Sequence, residues 1–406
     1  MQTVSLFGYA KTTKALAMYL KQTAKDIKIV FYDDKISKPF VDENGFMLRP
    51  PFLFDKTQSS LEIPSPGMPP NHTLIKQAAN LISEYDFFAK ETPFCIWISG
   101  TNGKTTTTQM MQHLLKKRGS ISGGNIGVPL ALLDKKAPIW ILETSSFTLY
   151  YTNTAKPNLY ILLPITPDHL LWHKNLQNYI NTKLKPLNTM KDDDLAIVPE
   201  IYKDKVTSNG KIIFYKDTAD LAKQLEIDTN KISFQGVFLL DALLALSVSK
   251  ILFNETDYDL INSFALEAHR QEELYDSYGR LWVNDTKATN IDACTAALKR
   301  YKNRHVHLIL GGDDKGVDMV DLFDYLVTLD VIVYAIGSNA SKLLSLCNKY
   351  TLTCKECSDL SIAVDEINKE LTKEDVALLS PAAASLDQFT SYKHRGDEFK
   401  KLVLSL

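Results

Sequence analysis

Residues 94–111 read FCIWISGTNGKTTTTQMM, and two periodicities meet inside them. The run FCIWIS is apolar almost throughout, as a strand covered on both faces of a parallel sheet must be. From Lys104 onward the apolar residues fall at Met110, Met111, Leu114 and Leu115, the spacing of one helix face. Between them lies a turn with glycines at 100 and 103. Strand, glycine turn and helix in that order predict an α/β fold, and the order places Lys104 and Thr105 where a helix N-terminus offers backbone N–H groups to an anion.

The same grammar extends in both directions. Downstream, PIWILETSS (138–146), LYILLPITPDH (159–169) and LAIVPE (195–200) are apolar runs that end in polar residues. Polar strand ends mark the ligand edge of a parallel sheet, so Glu143 and His169 are expected to finish neighbouring strands beside the glycine turn. Upstream, TVSLFGY (3–9), a helical KALAMYLKQTAK (14–25) and IKIVFYDD (27–34) open a separate α/β unit. LEIPSPGMPPNH (61–72), rich in proline, reads on composition as a surface linker. A third group of strands is expected in RLWVNDTKATN (280–290), HVHLILGGDDKG (305–316), VIVYAIGSN (331–339) and VALLSPAAASLDQF (376–389). Three domains follow, with breaks near residues 90 and 267: 1–90, 91–266 and 267–406.

Composition agrees with that size. A chain of 406 residues exceeds one ordinary core, and 45% hydrophobic with 23% charged residues describes a globular protein. A net charge of −2 offers neither a nucleic-acid face nor a polybasic membrane patch. The opening MQTVSLFGYAKTT lacks a basic segment followed by a long apolar run. Together with five cysteines, an odd number, this predicts a soluble cytoplasmic protein, taken as a monomer. CKEC at 354–357 reads as small core residues, since half a zinc site or a redox pair would need company.

GTNGKTTTT at 100–108 departs from the strict phosphate-loop spacing, because position 98 is Ile. Its context still predicts that Gly100, Thr101, Asn102, Gly103, Lys104, Thr105 and Thr106 surround phosphates, with the Thr105 hydroxyl on Mg²⁺. Glu143 and His169 would complete a metal edge. His173, four residues on, keeps the choice of histidine open. The HxxxH spacing lacks the glutamate and third ligand that zinc would require.

GTNGKTTTT, ETSSF (143–147), PDH (167–169), HR (269–270), NDTKATN (284–290) and GGDDKG (311–316) together resemble the Mur ligases of peptidoglycan synthesis, in order and spacing over nearly the whole chain. The stretch LSPAAASLDQFTSYKHRGDEF (379–399) is similar to members that add D-glutamate to UDP-N-acetylmuramoyl-L-alanine. The resemblance implies a Rossmann-like N-terminal domain for the uridine nucleotide, a central P-loop-type ATPase domain with a mostly parallel sheet, and a Rossmann-like C-terminal domain for the amino acid. It implies ATP-dependent amide formation through an acyl phosphate, with two Mg²⁺ sites held by Thr105, Glu143, His169 and Lys183. Lys183, in YINTKLKPL (179–187), matches the family lysine that becomes a carbamate; on its own it reads as an exposed helix lysine.

By the same resemblance Arg270 and Asp285 contact ATP phosphates and ribose, and Asp241 stands where the family has an asparagine near the adenine. Thr289, Lys315, Ser385, Leu386 and Tyr392 would take D-glutamate. Lys11, Thr12, Asp34 and Lys35 would lie near the uridine and diphosphate, with Ser65, Pro66 and Gly67 at a second turn, which replaces the linker reading of 61–72. Asn125, in GGNIGVP (123–129), would touch the sugar portion. Two other readings compete: a sister ligase with another acceptor, such as a folylpolyglutamate synthase, and a non-catalytic ATP-binding module. SPAAASLDQF argues against the first, and the intact Lys104, Glu143, His169 and Lys183 argue against the second.

Overall fold

Apolar runs bounded by glycine, proline and aspartate become strands, and in a computed structural model that describes residues 2–24, 26–314 and 316–406 these strands gather into three sheets. The first contains β1 (Gln2–Phe7), β2 (Ile27–Tyr32), β3 (Phe40–Val41), β4 (Met47–Arg49) and β5 (Leu61–Pro64), ordered β3-β4-β2-β1-β5. All its pairings are parallel except β3 with β4. The composition-based linker reading of 61–72 is therefore corrected. Leu61–Pro64 pairs with β1 from Val4 to Phe7, and proline is tolerated because β5 is an edge strand.

The second sheet is wholly parallel: β6 (Phe94–Ser99), β7 (Ser120–Gly124), β8 (Ile139–Glu143), β9 (Leu159–Leu162), β10 (Leu195–Pro199) and β11 (Lys211–Tyr215), ordered β11-β10-β9-β6-β8-β7. The chain leaves β6 toward β7 and β8 on one side and returns to β9 on the other. The loops after β6 and β9 thus diverge at a switch point, where open α/β sheets bind ligands. In the third sheet, β12 (Glu272–Tyr275), β13 (Leu281–Asn284), β14 (Val306–Gly311), β15 (Val331–Ile336), β16 (Cys354–Glu356) and β17 (Val376–Leu379) are ordered β12-β13-β17-β14-β15-β16. Only β12 runs antiparallel to its neighbour.

The chain divides into two compact units, one ending at Phe264 and the other running Ala265–Leu406. Within the first unit one apolar core reaches across both sheets, from Leu6, Leu16 and Phe31 through Phe88 to Trp97, Trp140 and Leu162, and a smaller one gathers Phe7, Val30, Tyr32, Phe54 and Leu74. The second unit has separate cores on the two faces of its sheet, one around Leu308 and Phe323 and the other around Trp282 and Phe399. Cys294 and Cys347 belong to the first of these and Cys357 to the second, and all five cysteines are free thiols. No helix among the described residues is long and apolar enough to cross a membrane.

Candidate active site

The loop after β6 is built on glycine. Gly100 has φ of 142° and Gly103 has φ of 83°, both in the region that favours glycine. A Cβ on Gly100 would stand 2.5 Å from the Leu163 Cβ, and one on Gly103 would stand 2.4 Å from Asp241 Oδ1. The loop after β9 packs against this turn: Thr101 N donates to Pro164 O at 3.1 Å, while Thr101 Oγ1 donates to Thr166 O at 3.0 Å and accepts from Thr166 N at 2.9 Å. Gly103 then caps the helix Lys104–Leu115.

The head of that helix gathers polar and charged groups. Lys104 Nζ donates to Thr101 O at 2.6 Å, so the ammonium sits over the loop. Thr105 Oγ1 donates to Glu143 Oε2 at 2.7 Å, and Glu143, the last residue of β8, is 3% exposed. Thr106 Oγ1 is buried without a hydrogen-bond partner. Helix N–H groups, an ammonium, hydroxyls and a buried carboxylate make a cradle for phosphate oxygens and a hard divalent cation, and the oxygen donors fit Mg²⁺.

Lys183 corrects the bare reading of an exposed helix lysine. It is 1% exposed, and its Nζ donates to Gly100 O at 2.7 Å and to Ser99 Oγ at 3.4 Å. The Tyr179 ring, one helical turn earlier, lies 4.7 Å from the ammonium. Burial, reinforced by Lys104, holds the Lys183 amine well below the ordinary lysine range, while Asp168 and Glu143 oppose the shift.

His169 does not end β9, which stops at Leu162; Pro164, lacking an N–H, cannot extend the ladder. Instead His169 has φ of 53° and caps the short helix Leu170–His173. Its ring faces Asp168 Oδ2 at 3.4 Å with its side chain 35% exposed. His173 turns inward to Ser146 Oγ at 3.0 Å, and burial lowers it to about 4, with His169 and Lys183 adding to the effect. Of the two histidines, only His169 keeps an exposed ring.

Tyr179 and Thr107 escaped sequence reasoning. Tyr179 OH lies 3.2 Å from Thr101 Oγ1, tying the helix of Lys183 to the loop. Thr107 Oγ1 donates to the buried Asp241 at 3.0 Å, so Asp241 braces the loop from behind. The resemblance placed Asp241 near the adenine; for this bracing contact the signal was a lone acid in the apolar run VFLLDALLALSV (237–248).

In the first sheet, the turns after β1, β2 and β5 converge. Tyr9 N donates to Asp33 Oδ2 at 2.7 Å and Ser65 N to Phe7 O at 2.7 Å. Lys11 and Thr12 open the helix Lys11–Thr23, Lys35 N donates to Asp33 Oδ1 at 2.9 Å, and Asp34 pairs with His72 at 3.0 Å. The turn Ser65–Pro66–Gly67 reaches the central sheet, where Trp172 Nε1 donates to Gly67 O at 3.2 Å and Tyr151 OH to Met68 O at 2.6 Å. Asn125 donates to Glu143 Oε1 at 2.6 Å. A cleft of about 520 Å³ bounded by Ile75, Tyr150, Tyr151, Asn181 and Lys185 contains none of the loop and strand-end residues Lys104, Thr105, Asn125, Glu143, His169 and Lys183.

The C-terminal unit presents its own strand-end cluster. Asp285, just past β13, accepts from Ser380 Oγ at 2.7 Å and Gln271 N at 3.2 Å, and burial pushes its carboxyl up to about 7 against those bonds and Arg270. Arg270 lies between two positive-φ residues, His269 and Gln271, with its Nε buried and lacking a hydrogen bond. Asp313 and Ala384 exchange backbone bonds of 2.9 and 2.8 Å, which bring Asp313 beside the buried Ser385 and exposed Leu386. Tyr392 opens the helix Tyr392–Leu404 beneath the Lys287 ammonium at 4.0 Å, and Thr289 precedes the Asn290 cap of the helix Ile291–Tyr301. Lys315 lies outside the described residues.

A chain with this geometry has relatives. Residues 98–238 match the Mur ligase middle domain, and residues 269–383 match the Mur ligase glutamate ligase domain. The UDP-N-acetylmuramoylalanine–D-glutamate ligase of Campylobacter jejuni is 53% identical over 98% of this chain and 99% of its own length. The chain belongs to the Mur ligase family. A second member with the same name, from Helicobacter pylori, is 45% identical over 99% of each chain. Among solved family structures, the MurF ligase of Thermotoga maritima in complex with ADP shares the fold, with a TM-score of 0.60 at 17% identity over 92% of this chain and 95% of that one.

Proposed function

We infer that this protein is an ATP-dependent ligase that adds D-glutamate to UDP-N-acetylmuramoyl-L-alanine in peptidoglycan-precursor synthesis. The observation that carries the reading is the convergence of Lys104, Thr105, Glu143 and the buried Lys183 on one glycine loop, in a chain 53% identical over nearly its full length to a ligase of that name.

The alanyl carboxylate attacks the γ-phosphorus of ATP, the bond to the β-phosphate oxygen breaks, and an acyl phosphate and ADP form. The D-glutamate amine attacks the acyl carbon and loses a proton, the C–O bond to phosphate breaks, and an amide and inorganic phosphate remain. Two anions must meet for the first step, so cationic and N–H donors have to offset charge where the phosphoryl group moves. Lys104 and the N–H groups opening its helix bind the phosphates, while Gly100 and Gly103 let the backbone approach them. Mg²⁺ held by Thr105 and Glu143, and a second held by His169 and a carbamate on Lys183, would supply further positive charge on the phosphate oxygens. The carbamate is supported by the depressed amine, since only an uncharged amine attacks carbon dioxide, forming the N–C bond and releasing a proton.

The domain roles follow: residues 1–90 hold the uridine nucleotide through Lys11, Thr12, Asp34, Lys35 and the 65–67 turn, residues 91–266 hold ATP, and residues 267–406 hold D-glutamate through Thr289, Lys315, Ser385, Leu386 and Tyr392. Arg270 and Asp285 serve ATP from the C-terminal side. The protein works as a cytoplasmic monomer. Incubation with ATP, Mg²⁺, UDP-N-acetylmuramoyl-L-alanine and single amino acids should release phosphate with D-glutamate and not with L-glutamate or diaminopimelate. Equal release with any of the others would refute the acceptor assignment.

A further inference from the structure

The carboxylate of Glu143 is held from two sides. Thr105 donates to Oε2, and Asn125 donates to Oε1 through its Nδ2 at 2.6 Å. Asn125 also grips the backbone of the same residue, its N donating to Glu143 O at 2.9 Å. The preceding Gly124, with φ of 82°, permits this: a Cβ there would stand 2.5 Å from Glu143 O and 2.7 Å from Tyr85 OH. Tyr85 OH in turn donates to Glu143 O at 3.4 Å. The loop is closed by Gly124 N donating to Val128 O at 2.8 Å and Gly127 N to Gly124 O at 3.1 Å, so the Asn125 side chain projects from a hydrogen-bonded turn.

A carboxylate on the last residue of a strand has two free torsions beyond χ1, and a cation site needs one orientation. Thr105 alone does not select it, because a single hydroxyl can follow a rotating carboxylate. A second donor on the other oxygen removes that freedom, and partners of this kind orient metal-binding carboxylates generally. We propose that Asn125 is a positioning residue for Glu143, setting the carboxylate plane that receives the metal–nucleotide, in addition to any contact with the sugar nucleotide. This rests on the reading of Glu143 as a metal ligand and deepens it. The turn also approaches the first sheet, since a Cβ on Gly127 would lie 3.7 Å from Lys11 Nζ, so one short loop borders both the sugar-nucleotide turn and the metal carboxylate.

The test is Mn²⁺·ATP affinity of the full-length protein, measured by electron paramagnetic resonance without any sugar nucleotide. Glu143→Gln reports on the underlying reading: unchanged affinity would show that Glu143 is not a ligand, whatever Asn125 does. With that control lowered, Asn125→Ala is expected to weaken Mn²⁺·ATP by about tenfold. Asn125 is exposed, so the alanine variant should fold, and its thermal midpoint checks this. Asn125→Gln, which keeps the amide one methylene further out, should recover part of the affinity. Wild-type Mn²⁺·ATP affinity in Asn125→Ala, with only the KM for sugar nucleotide raised, would assign the residue to substrate alone and overturn the proposal.

Discussion

Lys183 shows what a single buried residue adds. On a helix surface a lysine costs little, but at 1% exposure its charge is disfavoured, and the amine faces the glycine loop instead of solvent. Lys183→Ala is expected to lose most phosphate release and to regain part of it when short carboxylic acids are added, because these can occupy the place of a carbamate. A fully active variant without added acid would exclude the carbamate. Gly103 makes the complementary case. An alanine there would hold a left-handed φ at about 1 to 3 kcal/mol and press on the Asp241 carboxylate, so Gly103→Ala should lower both the thermal midpoint and ATP affinity, read by calorimetry. Lys104, Thr105 and Glu143 were legible because strand ends and helix starts are written locally. The burial of Lys183 was not, since it depends on how its helix meets β6. Tyr179 four residues earlier, on the same helix face, was the one local hint.

At the scale of elements, short helices fasten the sheets and their buried charges set conditions. The helix Glu84–Phe88 carries Glu84, whose Oε1 accepts from Ala131 N at 3.1 Å and whose carboxyl is pushed up to about 7 by burial, against that bond and Lys135. A carboxyl raised above its ordinary value contributes stability at low pH that is lost as pH rises through the folded value. Thermal unfolding of Glu84→Gln beside the parent should therefore shift in favour of the variant between about pH 5 and about pH 8.5. In the C-terminal unit, the helix Tyr392–Leu404 brings in Arg395, 1% exposed, which donates to Thr286 Oγ1 and O and to Ala383 O at 2.8 to 3.1 Å. Arg395→Met would orphan buried carbonyls at about 1 to 3 kcal/mol each and should speed hydrogen exchange in the 284–287 and 382–386 loops. Neither Glu84 nor Arg395 stood out in the sequence. An acid in SEYDFF and an arginine in YKHRGDEF look like ordinary helix-surface charges until the neighbouring loops are in place. The strands fared better, because a parallel sheet buries both faces and its apolar runs need no long-range information to be seen.

For the whole molecule, the placing of the cores decides which pieces stand alone. The unit Ala265–Leu406 has an apolar layer on each face of its sheet and should fold cooperatively when expressed by itself, as monitored by circular dichroism during heating. Residues 91–264 without the first ninety should instead bind a hydrophobic dye and aggregate, because removal of Leu6, Leu16, Phe31 and Phe88 strips partners from Trp97 and Trp140. The three sheets were legible as three restarts of the strand–helix pattern. The shared core of the first two was not, since amphipathic patterning marks a buried face without naming what covers it. That shared core has a temporal side. As the chain leaves the ribosome, the first sheet emerges complete by residue 64, yet its core extends to Tyr202. At roughly 5 to 20 residues per second the nascent N-terminal segment waits several seconds or more with apolar surface uncovered. Its own small cluster around Phe7, Tyr32 and Leu74 can close at once, while the face destined for Trp97 and Trp140 waits for chain not yet made.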